Sequence, residues 1–189
     1  MQLMNKKNIQ CTQQLLIILH TYMSKIYTAY LLIGSNIGNR LDHLQKATAF
    51  IEQQCGPITA TSSIYQTAAW GLTEQPDFLN QVLVLSTLLE PEVLMKTLLL
   101  IEEKMGRIRT VKLGPRTIDL DILLINDLII NSTLLTIPHP ALPNRKFALI
   151  PLAEVAGEMI HPSTTKTINQ LLTACNDELV VQKFSASAT

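Results

Sequence analysis

Two aspartates one residue apart, Asp119-Leu120-Asp121, lie in a run from Thr117 to Ile125 that is otherwise almost wholly apolar. Branched aliphatic residues in such a run predict a strand, and residues two apart on a strand point to one face. The two carboxylates therefore stand side by side, continued on that face by Leu123 and Ile125. Ile118, Leu120, Ile122 and Leu124 point the other way. Adjacent carboxylates on a covered strand repel each other and lose hydration, so something positive must offset them. Arginines would serve, as would a hard dication such as Mg²⁺, which takes oxygen ligands at about 2.1 Å. An isolated D-x-D also fits two solvated carboxylates at a strand end.

A cluster of cations precedes the pair. Arg107, Arg109, Lys112 and Arg116 fall within ten residues that contain no acid. An even spread of the 15 Lys and Arg would put roughly one there. Alone, this is a solvated loop or a set of partners for the aspartates. Beside a paired-carboxylate metal site it suits a polyphosphate, whose shifting charge Arg and Lys stabilise during transfer. Gly114-Pro115 restricts the return of the loop to the strand. Glu102 and Glu103 close a predicted helix at its negative end, where either solvent screens them or the neighbouring arginines or a ligand hold one.

Aromatic residues are only 5% of the chain, so their placement matters. Trp70, Phe78 and Phe147 occur in polar surroundings. Phe78 and Asn80 share a strand face, where a planar heterocycle would stack on the ring and bond to the amide; a core Phe is the plainer alternative. Pro138-His139-Pro140 fixes a His in a rigid turn, and Asn144-Arg145-Lys146-Phe147 follows. Gly34-Ser35-Asn36-Ile37-Gly38 links a strand to a helix, as phosphate loops do. No G-x-x-x-x-G-K-[ST] or G-x-G-x-x-G occurs, which argues against a P-loop kinase or a Rossmann enzyme.

The elements that must position these residues follow from periodicity. Strands are expected at 29–33, 58–65, 78–86 and 117–125, and a short one at 128–130 after a turn at Asn126-Asp127. Helices are expected at 38–53, on the face Leu41, Leu44, Thr48 and Ile51, and at 91–105, opened by Pro91 and stopped by Gly106. A last helix is expected at 167–175. Residues 66–77, 106–116 and the Pro-rich 137–144 read as loops. The order strand, helix, strand, strand, helix, strand predicts an α+β chain: a ferredoxin-like β-α-β-β-α-β core sandwich with extra C-terminal strands and helices.

The 189 residues suffice for one domain with a good core. The 15 acids balance the 15 bases, which speaks against a nucleic-acid coat or a polybasic membrane anchor. Cys11, Cys55 and Cys175 form no metal or disulfide spacing and predict a reducing, cytoplasmic setting. The apolar run Leu15–Leu19 has five residues, short of the roughly 7–15 of a signal peptide and the roughly 18 of a spanning helix. Residues 1–22 are expected to be a poorly ordered N-terminal extension, 23–180 a single domain and 181–189 a tail.

Four segments occur in a telling order: Gly34-Ser35-Asn36; Gln75-Pro76-Asp77-Phe78-Leu79-Asn80; Gly114-Pro115-Arg116-Thr117-Ile118-Asp119-Leu120-Asp121-Ile122; and Pro138-His139. Over about residues 27–175 the chain resembles the 6-hydroxymethyl-7,8-dihydropterin pyrophosphokinase family of folate biosynthesis. The resemblance implies transfer of the β,γ-diphosphate of ATP to the pterin hydroxymethyl group, with release of AMP. It implies two Mg²⁺ ions on Asp119 and Asp121. It implies ATP contacts at Glu102, Arg107, Arg116, Ile122, Thr136, His139 and Arg145, and a catalytic role for Arg107, Arg109, Lys112 and Arg116. The pterin would lie between Phe78 and Phe147, read by Asn80 and by Thr67, Ala68 and Trp70.

The resemblance further implies small-molecule partners only, neither nucleic acid nor membrane, and a monomer or weak homodimer. The chain departs from the family pattern in places. Phe78 stands where Tyr is frequent, and Leu113 where some members have a Trp that closes over the pterin. The loop between Arg109 and Gly114 is one residue shorter than in some members, and Ala68 and Pro140 differ too. No side chain stands out as a general base, so a metal-activated hydroxyl is expected. Two rival readings are an RNA-binding module of the same fold, which needs aromatics on the central strands, and an inactive scaffold domain.

Overall fold

The apolar runs Ala29–Ile33 and Val82–Leu85 become inner strands of one antiparallel sheet. A computed structural model describes residues 25–69, 75–107 and 114–185. Along the chain the elements are β1 (Tyr27–Ser35), α1 (Arg40–Cys55), β2 (Ile58–Thr61), β3 (Tyr65–Thr67), β4 (Phe78–Thr87), α2 (Pro91–Lys104) and β5 (Asp119–Ile125). There follow β6 (Ile130–Asn131), β7 (Thr136–Ile137), a 3₁₀ turn Leu142–Asn144, α3 (Lys146–Ala156), α4 (Ile168–Ala174) and β8 (Val181–Lys183). The main sheet runs β5-β1-β4-β3-β8, with β2 also on β4, and β6-β7 form a separate hairpin.

Both faces of the sheet are covered, which is why β1 is apolar without alternation. On one face Ala29, Leu31 and Ile33 of β1 and Leu79, Leu83 and Leu85 of β4 meet Leu44, Ala47 and Ile51 of α1 and Leu94, Leu98 and Ile101 of α2. On the other, Leu32, Val82, Leu123 and Leu124 meet Ala148, Leu149 and Leu152 of α3 and Ile168 and Leu171 of α4. Asn39 caps α1 by accepting the Asp42 amide. Pro91 opens α2, and Gly106, at φ 79°, follows its end.

The structure corrects four expectations. The strand expected at 58–65 is two, because Ser62 leaves the ladder: its amide bonds to Val82 O and its hydroxyl accepts the Val82 amide, both at 2.9 Å. In β5 the register against β1 slips between Tyr30 and Leu31, whose partners are Leu124 and Ile122, so Leu123 is the extra residue of a bulge. Alternation therefore fails beyond it. Leu124 joins Leu123 on the α3 side, and Ile125 returns to the α1–α2 side, away from the aspartates. Helix α3 is a further element the periodicity did not announce. It carries Pro151 inside, and Pro138, Pro140 and Pro143 precede it. Finally Val181–Lys183, expected to begin a tail, pair with β3 as an edge strand.

Candidate active site

Sheet parity brings the chemistry-bearing residues to one face at one end. Gly34 of β1 lies opposite Asp119 of β5 on one side and Asn80 of β4 on the other, and Leu32 lies opposite Asp121 and Val82. Thr67 of β3 lies opposite Phe78. Gly34 thus leaves an open floor between the Asp119 and Asn80 side chains. A Cβ there would stand 2.7 Å from Asn80 Oδ1, so the close approach demands glycine. The resulting cleft, of about 330 Å³, is lined by Leu32, Gly34, Thr67, Asn80, Asp119 and Asp121 together with Ala68, Phe78, Glu102, Arg107, Arg116, His139, Arg145 and Phe147.

Charges in the cleft are tightly paired. Glu102 is only 3% exposed, and its Oε1 accepts the Leu120 amide at 2.8 Å, fastening the end of α2 to edge strand β5. Gly106 turns the chain so that Arg107 comes back over the helix end: its amide bonds to Glu102 O and its guanidinium to the Glu102 carboxylate. The same guanidinium reaches Asp119 Oδ1 at 2.8 Å. Arg116 takes the other oxygen, Oδ2, at 2.7 Å, and its guanidinium carbon lies 5.6 Å from the Phe78 ring centre. Arg145 lies 5.7 Å from the Phe147 ring centre. Of the two acids closing α2, the buried Glu102 is thus held by an arginine, while Glu103 is exposed.

Burial and the neighbouring Asp119 charge push Asp121 up to about 7, against the opposing pull of Arg145 and Arg107. His139 is placed by the β5 bulge, whose Leu123 carbonyl accepts the His139 amide at 2.9 Å. Its Nδ1 accepts the Ala141 amide at 3.2 Å, so in the neutral ring Nε2 carries the proton. Burial and Arg145 hold its pKa below the usual histidine value.

Asn36 is a residue whose part the sequence did not reveal. It is 1% exposed. Its Oδ1 accepts the Arg116 amide at 2.7 Å, and its Nδ2 donates to Gln75 Oε1 at 3.1 Å and Pro76 O at 3.2 Å. It therefore ties Gln75-Pro76 and Arg116, from two separate stretches of chain, to the turn after β1. The signal available was the polar G-S-N turn itself, but its partners lie 39 and 80 positions away. Met95 and Leu99, also unannounced, line the α2 side of the cleft.

Other expected residues fall elsewhere. Ile122 is buried on the α1–α2 face, and Thr136 is exposed on the β6-β7 hairpin; neither lines the cleft. Trp70, Arg109, Lys112 and Leu113 lie outside the described residues, as do residues 1–22.

The donor set suits a hard dication. Asp119 and Asp121 offer oxygens on one pleat, and Asp121 sits where burial and the Asp119 charge penalise an ionised carboxylate. Among the described residues no three His, Cys, Asp or Glu side chains gather to hold a metal unaided. An ion there would take its remaining ligands from phosphate oxygens and water, as Mg²⁺ does.

Residues 30–157 match the family model described as 7,8-dihydro-6-hydroxymethylpterin-pyrophosphokinase. A 2-amino-4-hydroxy-6-hydroxymethyldihydropteridine pyrophosphokinase of Synechocystis is 45% identical over 141 residues, 74% of this chain and 72% of that protein. The protein of the same name from Aquifex aeolicus is 40% identical over 143 residues, 76% of this chain and 89% of its own. Among solved structures, wild-type Plasmodium falciparum HPPK-DHPS aligns with a TM-score of 0.65 at 19% identity over 79% of this chain, which spans 45% of that longer protein. No helix among the described residues is long and apolar enough to cross a membrane.

Proposed function

The chain belongs to the 7,8-dihydro-6-hydroxymethylpterin-pyrophosphokinase family, and we propose that it transfers the β,γ-diphosphate of ATP to the hydroxymethyl group of 6-hydroxymethyl-7,8-dihydropterin, releasing AMP. It is an ATP-dependent transferase of folate biosynthesis. One observation carries the assignment of the site: paired carboxylates on a single pleat, ringed by Arg107, Arg116 and Arg145, open onto a slot with Phe78 and Phe147 in its walls. We read the strand order β5-β1-β4 with β2 and β3 beyond as the ferredoxin-like arrangement, and the working unit as one domain reaching at least to β8.

The pterin lies in the slot against Phe78 and Phe147, with Asn80 reading its polar edge. Asn80 is pre-oriented, because its Nδ2 donates to Thr67 Oγ1 at 2.9 Å and its Oδ1 faces Gly34. The triphosphate enters beside Arg107, Arg116 and Arg145. His139 offers a neutral N–H donor at Nε2. The hydroxymethyl oxygen attacks the β-phosphorus, the bond from that phosphorus to the α,β-bridging oxygen breaks, and AMP leaves with the electron pair. Arg116, stacked near Phe78, spans the two subsites and is the side chain best placed to stabilise charge on the moving group. Asp119 and Asp121 would hold two Mg²⁺ ions, which screen the phosphates and favour ionisation of the attacking hydroxyl. Positioning supplies most of the remaining rate enhancement.

The RNA-binding alternative lacks support from the sheet, since the face that would stack bases carries Asp119 and Asp121, while its strand tyrosines are engaged by the helical layer: Tyr30 packs in the α3–α4 core and the Tyr65 hydroxyl donates to Glu154 of α3. The test is an assay of AMP formation. Turnover is expected only when ATP, the pterin and Mg²⁺ are all present. D119A and D121A should each lower it by at least about a hundred-fold while far-UV circular dichroism stays unchanged. AMP release indifferent to the pterin, or near-normal rates in both variants, would refute the assignment.

A further inference from the structure

Helix α3 carries one wall of the cleft at its start, Arg145 at the N-cap and Phe147 in the first turn, yet the N-cap side chain does not cap that turn. An N-cap favours side chains that accept a bond from the first amides. Arginine has five donors and no acceptor, its side chain makes no cap bond here, and the first turn holds no acid. Arg145 and Lys146 instead add positive charge to the positive end of the helix.

The missing acceptor comes from the far side of the chain. Asp177 Oδ2 accepts the Lys146 amide at 2.9 Å across 31 positions, and Oδ1 accepts the Leu179 amide at 3.1 Å. One carboxylate thus closes the start of α3 and the turn that leads into β8. From there Val181 pairs with Thr67 and Gln182 with Gln66 on β3, and the Phe184 amide donates to Ile64 O at 2.8 Å. Thr67 is the residue that orients Asn80. Further along α3, Glu154 accepts the Ser63 amide at 2.8 Å and the Ser63 hydroxyl at 2.7 Å just before β3, with Lys183 of β8 3.5 Å away.

The segment from Asp177 to Phe184 therefore touches both walls of the cleft, the α3 wall with Arg145 and Phe147 and the sheet wall with Thr67, Phe78 and Asn80. We infer that Asp177 is a positioning residue for the pterin: by capping α3 from the C-terminal segment, it sets the distance between the Phe147 wall and the Phe78–Asn80 wall. It touches no substrate itself. The inference rests on the functional reading above.

The experiment compares full-length wild type, D177A and D177N in steady-state turnover, well below the melting temperature. D177A should raise the pterin KM about five- to ten-fold and leave kcat within about two-fold, because the loss falls on placement of a wall. D177N keeps an acceptor but loses the charge, and its pterin KM should rise only about two- to three-fold. A merely destabilised protein would lose active fraction, lowering kcat at constant KM. That result overturns the inference, as does a wild-type pterin KM in D177A or, should D177A not fold, in D177N. Absence of pterin-dependent AMP in the wild type overturns the functional reading and this inference together; an active wild type with indifferent variants overturns the inference alone.

Discussion

Asp121 is the residue on which the balance of the cleft is most visible. Burial and its neighbour Asp119 raise its pKa to about 7, so in the folded protein the proton is held up to near neutrality. The stability consequence has a definite sign. A carboxyl with a folded pKa above its unfolded value stabilises the fold while protonated; that contribution is whole below about 3.8 and is lost as pH rises through about 7. Asn mimics the protonated form at every pH. D121N, without metal or nucleotide, should therefore gain roughly 3–8 °C in melting temperature over wild type on going from about pH 5 to about pH 8. A difference between the two proteins that does not change with pH would mean that Asp121 is not penalised in the fold. The variant should be inactive throughout, which separates what the residue does for the reaction from what it costs the protein.

At the scale of elements, the cleft depends on where segments end. Asn36 accepts from Arg116 and donates to Gln75 and Pro76, so it fastens the ends of the segments flanking 70–74 and 108–113 to the β1–α1 turn. N36A removes these bonds and leaves the half-buried Arg116 amide without its acceptor, a loss of about 1–2 kcal/mol. Because Arg116 rides on that amide, N36A should lower kcat more than it raises the ATP KM; a change confined to KM in pre-steady-state and steady-state kinetics would contradict this. Such ties mark the boundary of what the sequence discloses. The Asp pair, the helix stop at Gly106 and the turn at Asn126 are local and were legible from residue type and spacing. The Leu123 bulge was not, because it depends on register against β1. Helix α3 was not, because Pro151 interrupts its pattern and its cap lies at Asp177. The function of Asn36 is invisible for the same reason: it is defined by distant partners.

For the molecule as a whole, the sum of charges is informative. The chain carries 15 acids and 15 bases, and the described lining of the cleft holds Arg107, Arg116 and Arg145 alongside Glu102, Asp119 and Asp121. A nucleotide therefore meets no strong attractive field at long range, and its phosphates must compete for guanidinium groups already committed to Asp119. Drawing Arg107 and Arg116 away strips the half-buried Asp119 of both its ion-pair partners beside Asp121, which is costly. Nucleotide affinity should then follow the supply of a replacement cation far more than ionic strength. With Mg²⁺ present, raising monovalent salt from about 20 to 200 mM should weaken binding of a non-hydrolysable ATP analogue by less than about five-fold. Removing Mg²⁺ with EDTA at constant ionic strength should weaken it by more than about ten-fold. In D119A Arg116 is released from its carboxylate while Arg107 keeps Glu102, so the EDTA effect should shrink even though turnover is lost. Calorimetric titrations of both proteins, with and without the dication, decide the matter: equal EDTA effects in wild type and D119A would show that the arginines were never held back.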